Sequence, residues 1–456
     1  MLFISLELEI SMDSSLFIIH YFLNPILYYL LYRFVLGSVK YLTFPSIFFV
    51  VYFVTIYIQA LNIYVYEIHE FYYLLTVWIL PYLFIAIVGL VYLGLNYSKK
   101  NIRVNFYSFY VSKQDIIFLN KIFPYFSAFF IILPFVYIFD KGFKNISFFN
   151  MLINSGDYIN SMYLRSQGFN SNISGILTII YSYSNTLFYL LYITLLFLYY
   201  SKDKISKKHF LLGVSATILF ALFTSAKAPI AYVLLALLFS YILSNQSKMF
   251  SLKLFIPMVG IFILPSFLYP LLYNTHKNFV GFALENLWRR VTFVPSYTVA
   301  LYFDLFTNQI AHVGFSSNRF LAILAGTDFH STASLVYTNY FYKPHAPVGL
   351  VNSAFFASFY ADWGFIGVFM GIISVGLLLG ILQVFYGSAK NDIVNISFKS
   401  VSLVATVQLL LTDFYSVALG RGLLLLAIIY FFISYGKIKK TNMFKFPNIQ
   451  QRKILS

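Results

Sequence analysis

The chain has no cysteine, and only 10% of its 456 residues are charged. The first absence excludes a disulfide-stapled ectodomain. The second excludes an ordinary soluble globule, in which about a quarter of all residues are Asp, Glu, Lys or Arg. Acids are the scarcer sign, 15 against 31 Lys and Arg, for a net charge of +16. Proline and glycine are few and form no linker, and no internal repeat or low-complexity segment interrupts the chain.

What is abundant is apolar and aromatic: 60% hydrophobic residues, with 54 Phe and 40 Tyr. They fall in runs of about 20, the length a helix needs to cross hydrocarbon with its backbone polar groups satisfied internally. Outer-membrane barrel strands are alternating segments of about 10 residues, so a barrel is excluded. The expected fold is an all-α polytopic membrane protein, a single membrane domain over 1–456. About eleven transmembrane helices (range 10–12) are read near 16–37, 42–63, 72–97, 120–139, 174–200, 210–225, 229–245, 253–273, 362–386, 400–416 and 422–436. Nothing at the start has the charge-then-core pattern of a cleavable signal peptide, so the first span is expected to remain.

Lys and Arg are retained on the cytoplasmic side of a membrane. With Ser456 inside, 21 of the 31 basic residues collect on one side, among them Arg33, Lys113, Lys202, Lys399 and the tail, with only Asp115, Asp203 and Asp392 as acids. The expected topology is therefore N-terminus periplasmic and C-terminus cytoplasmic. The basic excess is mostly topological, and nucleic acid is not an expected partner.

Two external segments then stand out, 140–172 and 274–352, the second far longer than a connecting turn requires. It carries His276, His312, His330 and His345, four of the seven histidines, with Arg289, Arg290, Arg319, Asp304 and Asp328. A solvated cap is the bland account of each residue alone; the length and the Arg and His content of the whole point to chemistry. "ENLWRRVTFVPSYTVALYFDLF" (285–306) reads as an amphipathic segment lying along the membrane surface, with Arg289 and Arg290 at headgroup depth. Guanidinium groups there suit a phosphate or pyrophosphate, which they bind bidentately; snorkelling to lipid headgroups is the alternative. Lys227 in "ALFTSAKAPIAYVLL" and Arg165 in "YLRSQGFNSNISG" share that dual reading. In "HAPVGLVNSAFFASFYADWGFIGVFMG" the glycines 364, 367 and 371 allow tight helix packing. Asp362 heads a span, while Asp413 and Arg421 flank the last external turn and could pair with each other. The histidine spacing contains no i, i+3 or i, i+4 pair and no HExxH. Neither a metal nor another cofactor is expected, and no Walker A sequence is present.

Three of these stretches together resemble the O-antigen polymerase (oligosaccharide repeat unit polymerase, Wzy-type) family. "FTSAKAPI" is similar to a T-x-S-R-x turn between mid-chain spans, with Lys227 where members usually carry Arg. "RRVTFVPSYTVALYFDLF" resembles the Arg-led opening of their large periplasmic loop. "APVGLVNSAFFASFYADWGFIGVFMG" resembles the N-x6-Y-x-D-x-G-x2-G strip that follows that loop, with seven residues between Asn352 and Tyr360 here. The motifs cover roughly 210–390. The resemblance implies a GT-C-like membrane glycosyltransferase that joins undecaprenyl-pyrophosphate-linked oligosaccharides at the periplasmic face of the bacterial inner membrane. A repeat-unit flippase and a chain-length regulator are the implied protein partners. Arg289, Arg290, Lys227, Arg165, Arg319 and Arg421 would hold pyrophosphate. His312, His330, His345 or Asp328 would act as base. Tyr297, Asn352, Tyr360 and Asp362 would contact substrate. An O-antigen ligase and a flippase are the competing readings.

Overall fold

The computed structural model describes residues 14–97, 109–153, 170–245, 279–342, 349–387 and 391–439, together with 160, 163–165, 168 and 260. Its regular secondary structure is helical, with no strand among the described residues. Six helices are long and apolar enough to cross a membrane: Ser15–Val35, Phe44–Tyr66, Phe71–Gly94, Phe123–Lys141, Gly175–Tyr200 and Phe355–Gly387. Three shorter apolar helices join them, Ala228–Ser244, Ile393–Leu409 and Leu423–Phe432. The chain is thus a polytopic, all-helical membrane protein. Of the remaining expected spans, 210–225 corresponds to the helix Lys207–Leu222, and 253–273, apart from Gly260, lies outside the described residues. The span expected at 400–416 is drawn back to Ile393–Leu409, because Asp392 caps its start by accepting from the Asn395 N–H at 2.9 Å.

Between membrane helices the hydrophobic effect supplies little drive, so close packing and cross-helix hydrogen bonds carry the association. The many tyrosines serve the second need. Tyr28 donates to the Trp78 carbonyl at 2.8 Å, Tyr52 to Val77 at 2.6 Å and Tyr189 to Phe130 at 2.7 Å. Buried His20 is wedged the same way. The Trp78 indole donates to its Nδ1 at 2.9 Å, which leaves Nε2 as the proton-bearing nitrogen facing the Tyr57 carbonyl at 3.0 Å. His20 and Tyr57 each lie in a π-helical turn, Ile19–Leu23 and Phe53–Tyr57, where widened hydrogen bonding re-aims main-chain groups.

The segments read as cytoplasmic meet at one end of the bundle. Asp115 accepts from the Val394 N–H at 3.2 Å, Tyr199 donates to the Asp115 carbonyl at 2.9 Å, and Lys202 Nζ reaches the Phe109 carbonyl at 3.3 Å.

The Phe355–Gly387 helix is a hairpin. Trp363 (φ −138°, ψ 23°) and Gly364 (φ +62°, ψ −144°) break it, so the short arm 355–362 doubles back on the long arm. A Cβ on Gly367 would lie 2.0 Å from the Phe359 carbonyl oxygen, and one on Gly371 would lie 2.6 Å from its ring. The expected tight glycine packing is therefore within the hairpin itself. A second small-residue pair, Gly376 and Gly380, seats the long arm against Ile87 and Val91 of Phe71–Gly94. The short arm reaches well into the bundle, with Phe355 beside Phe48 and Phe356 beside Tyr52.

Candidate functional site

The 285–306 segment is divided: Glu285, Trp288, Arg289 and Arg290 are exposed, while the part from Ser296 onward is buried in the bundle. Phe279–Trp288, a π turn Arg289–Phe293 and Val294–Asn308 follow one another as helix, and residues 298–303 are buried without interruption, as are Ser296, Leu305 and Phe306. A helix covered on every face belongs inside a bundle. Its C-terminal end is held by Asn308, which donates to Asp304 at 3.0 Å and to Glu70 at 3.5 Å. Lower down, Ser296 donates to the Ile56 carbonyl at 2.7 Å, inside the Phe44–Tyr66 helix.

Arg290 at the lower end of this stretch faces a cavity of 170 Å³ that also meets Thr298, Asn352, Ser353, Ala354 and Leu410. A larger cavity of 400 Å³ adjoins it across Asn352 and Ser353. Its walls come from four places: Ser317, Asn318, Arg319 and Phe329; Ser331 and Thr332; Ser358 of the short arm; and Asp413, Tyr415, Ser416 and Leu419 of the last turn, with Tyr302 at the back. Most of the lining surface is apolar, from the rings of Tyr302, Phe329 and Tyr415 with Ala333, Leu350 and Leu419, and a set of Ser, Thr and Asn side chains is spread over it; such a mixture suits a sugar, with polar groups for its hydroxyls and faces for its apolar side.

The supporting bonds explain how the loop is shaped. Tyr302 donates to the Val351 carbonyl at 2.8 Å, the Val351 N–H to Ala333 at 3.0 Å, and the His330 N–H to Ser316 at 2.8 Å. The Val313 N–H donates to Ala361 at 3.0 Å, tying the loop to the hairpin turn. Tyr340 donates to Asp304; burial first, and then that carboxylate, pushes the Tyr340 hydroxyl above its usual value.

The structure brings Arg290, Arg319 and Asn352 together on the two cavities. Arg319 also lies over the Phe329 ring at 5.2 Å. Asp362 is 1% exposed and lines neither cavity. Tyr360 is buried, stacked on Phe303 at 3.9 Å and bonded to Thr307 at 2.6 Å; it supports the wall behind the site. His312 is exposed and packs edge-on to Tyr360 and beside Gly364. Asp328 and His330 are exposed on the loop and line neither cavity. Arg289 points away from both, over Phe293, which stacks on Tyr297. Arg165 is exposed outside both cavities. Arg421 sends Nη1 toward the Tyr232 hydroxyl at 3.4 Å instead of pairing with Asp413. Lys227 begins the helix Lys227–Ser244; its side chain, and all of His276 and His345, lie outside what the structure describes.

Asp413, a candidate by its place near membrane depth with an ion pair to Arg421 as the alternative, lines the large cavity, and its Oδ1 accepts the Ser416 N–H at 2.7 Å. Its position at the end of an apolar run was the available signal. Among the described residues no group of three His, Asp or Glu side chains converges on a possible metal position. No family model, curated protein or solved structure matches the chain.

Proposed function

We propose that this chain is a membrane glycosyltransferase of GT-C-like architecture that polymerises undecaprenyl-pyrophosphate-linked repeat units into O-antigen or capsular-type polysaccharide. In this reading it crosses the bacterial inner membrane about eleven times, with its N-terminus periplasmic and its C-terminus cytoplasmic, and works at the periplasmic face. The observation that carries the reading is the pair of cavities joined across Asn352 and Ser353. One is small and holds Arg290; the other is larger, rich in hydroxyls, and holds Arg319. An anomeric pyrophosphate is already an activated leaving group, so the protein's task is to hold the negative charge that develops on it and to position the acceptor. Arg290 serves the first task, since a guanidinium at that depth stays charged and presents a planar fork. The larger cavity serves the second.

Disruption of the gene in its own host tests the proposal. The expected surface glycan is a single repeat unit. Long chains stranded on the lipid carrier would identify a ligase instead, and unlinked units retained on the cytoplasmic side would identify a flippase. Unaltered surface polysaccharide would overturn all three.

A further inference from the structure

The large cavity carries a second feature that the pyrophosphate role does not use. Asp413 faces the cavity space, and one of its oxygens is held by the Ser416 N–H at 2.7 Å. That bond orients the carboxylate without neutralising it. Arg421, the nearby cation in sequence, turns to Tyr232. On the far side of Asn352 and Ser353 lies Arg290. Nucleophile activation needs a carboxylate by the acceptor hydroxyl, and leaving-group stabilisation needs a cation by the pyrophosphate; Asp413 and Arg319 line the large cavity and Arg290 the small one.

We propose that Asp413 is the general base of the glycosyl transfer and that the large cavity is the acceptor-sugar site. The proposal rests on the polymerase reading above. The acceptor hydroxyl oxygen forms a bond to the anomeric carbon of the donor, and its proton passes to the Asp413 carboxylate. The bond from the anomeric carbon to the pyrophosphate oxygen breaks, and its electron pair leaves with the prenyl pyrophosphate, held by Arg290. Asp413 then returns its proton to water at the cavity mouth. The exposed loop histidines have no part in this step. Asp362 is buried behind the site and lines neither cavity.

The test uses purified full-length protein and the lipid-linked oligosaccharide extracted from the host that lacks it. Asp413→Asn should lower single-turnover extension about 100-fold or more, the scale of general-base loss, and remove the acid limb of the pH–rate profile. Asp413→Glu should restore a measurable rate with that limb. Extension by Asp413→Asn at the wild-type rate, with deletion still giving the single-unit glycan, would overturn the base assignment and leave the polymerase reading standing. Unaltered glycan in the deletion host would remove both. Because Asp413→Asn could fail to fold, wild-type protein is also labelled with a water-soluble carbodiimide and glycine ethyl ester. Modification at Asp413 should abolish extension and be blocked by the lipid-linked oligosaccharide; modification there with full activity would overturn the proposal.

Discussion

The hydroxyl of Ser296 donates to the main-chain carbonyl of Ile56 at 2.7 Å, pinning a segment that reads as external loop into the interior of a membrane helix. A hydroxyl has one hydrogen to give. The 2.6 Å contact between Ser296 and Tyr73 therefore has Tyr73 as its donor. Ser296→Ala should leave the Tyr73 hydroxyl without its acceptor in a dry interior and cost about 1–3 kcal/mol. Thermal unfolding in detergent should show the loss, and an unchanged midpoint would mean that the inserted helix is held by packing alone.

Gly367 is where the hairpin tolerates least. A methyl there meets the Phe359 carbonyl at 2.0 Å, a main-chain group that cannot swing away, so Gly367→Ala should force the two arms apart and displace Ser358 from the cavity wall. The expected result is a destabilisation of about 1–3 kcal/mol together with lost chain extension. Gly364→Ala adds strain of another kind, because φ is +62° there. Wild-type unfolding and glycan length in both variants would argue against the hairpin.

Arg290→Ala should reduce chain extension by roughly 100- to 1000-fold, the scale seen when a donor to developing negative charge is removed. Arg290→Lys should recover only part of it, since an ammonium lacks the planar fork. Arg289→Ala should be much milder, because Arg289 turns to Phe293 and not into either cavity. Glycan length distributions in complemented cells report all three, and equal effects at Arg289 and Arg290 would contradict the geometry.

Asp115 offers a pH signature away from the site. It accepts from the Ser112 N–H at 2.7 Å and the Val394 N–H at 3.2 Å. Burial first, and the Asp392 charge second, nonetheless raise its carboxyl above the ordinary value of 3.8. A raised carboxyl favours the protonated folded state. Its contribution to stability is therefore full below the unfolded value and is lost as pH rises through the folded one. Unfolding midpoints measured from pH 4 upward should fall for wild type relative to Asp115→Asn, and parallel curves would refute the shift.

How much of this was legible beforehand can be traced residue by residue. Hydropathy located the long helices because an apolar run of sufficient length has few other uses. It read 355–387 as a span starting at 362, since both arms of a hairpin are apolar and the reversal depends on the dihedral angles of two residues. It read 285–306 as amphipathic because Arg289, Arg290, Asp304 and the hydroxyls look solvent-seeking. In the fold those hydroxyls find buried partners, and Arg290 finds a cavity. The Arg and Asn candidates at 290, 319 and 352 came together; His312, Asp328 and His330 were named for their chemistry, which sequence distance cannot place.

The amino-acid sequence by itself determined that this is a helical membrane protein, because a chain so poor in charge and so rich in apolar runs can satisfy its backbone only as helices in lipid. It also determined where arginine and aspartate stand near the ends of those runs. Only the tertiary structure decided which of them share a space. Asn352, Ser353, Arg290, Arg319 and Asp413 are scattered over more than a hundred residues and meet because a helix inserts and a hairpin folds back. Both depend on contacts between segments distant in the chain, which no local periodicity encodes.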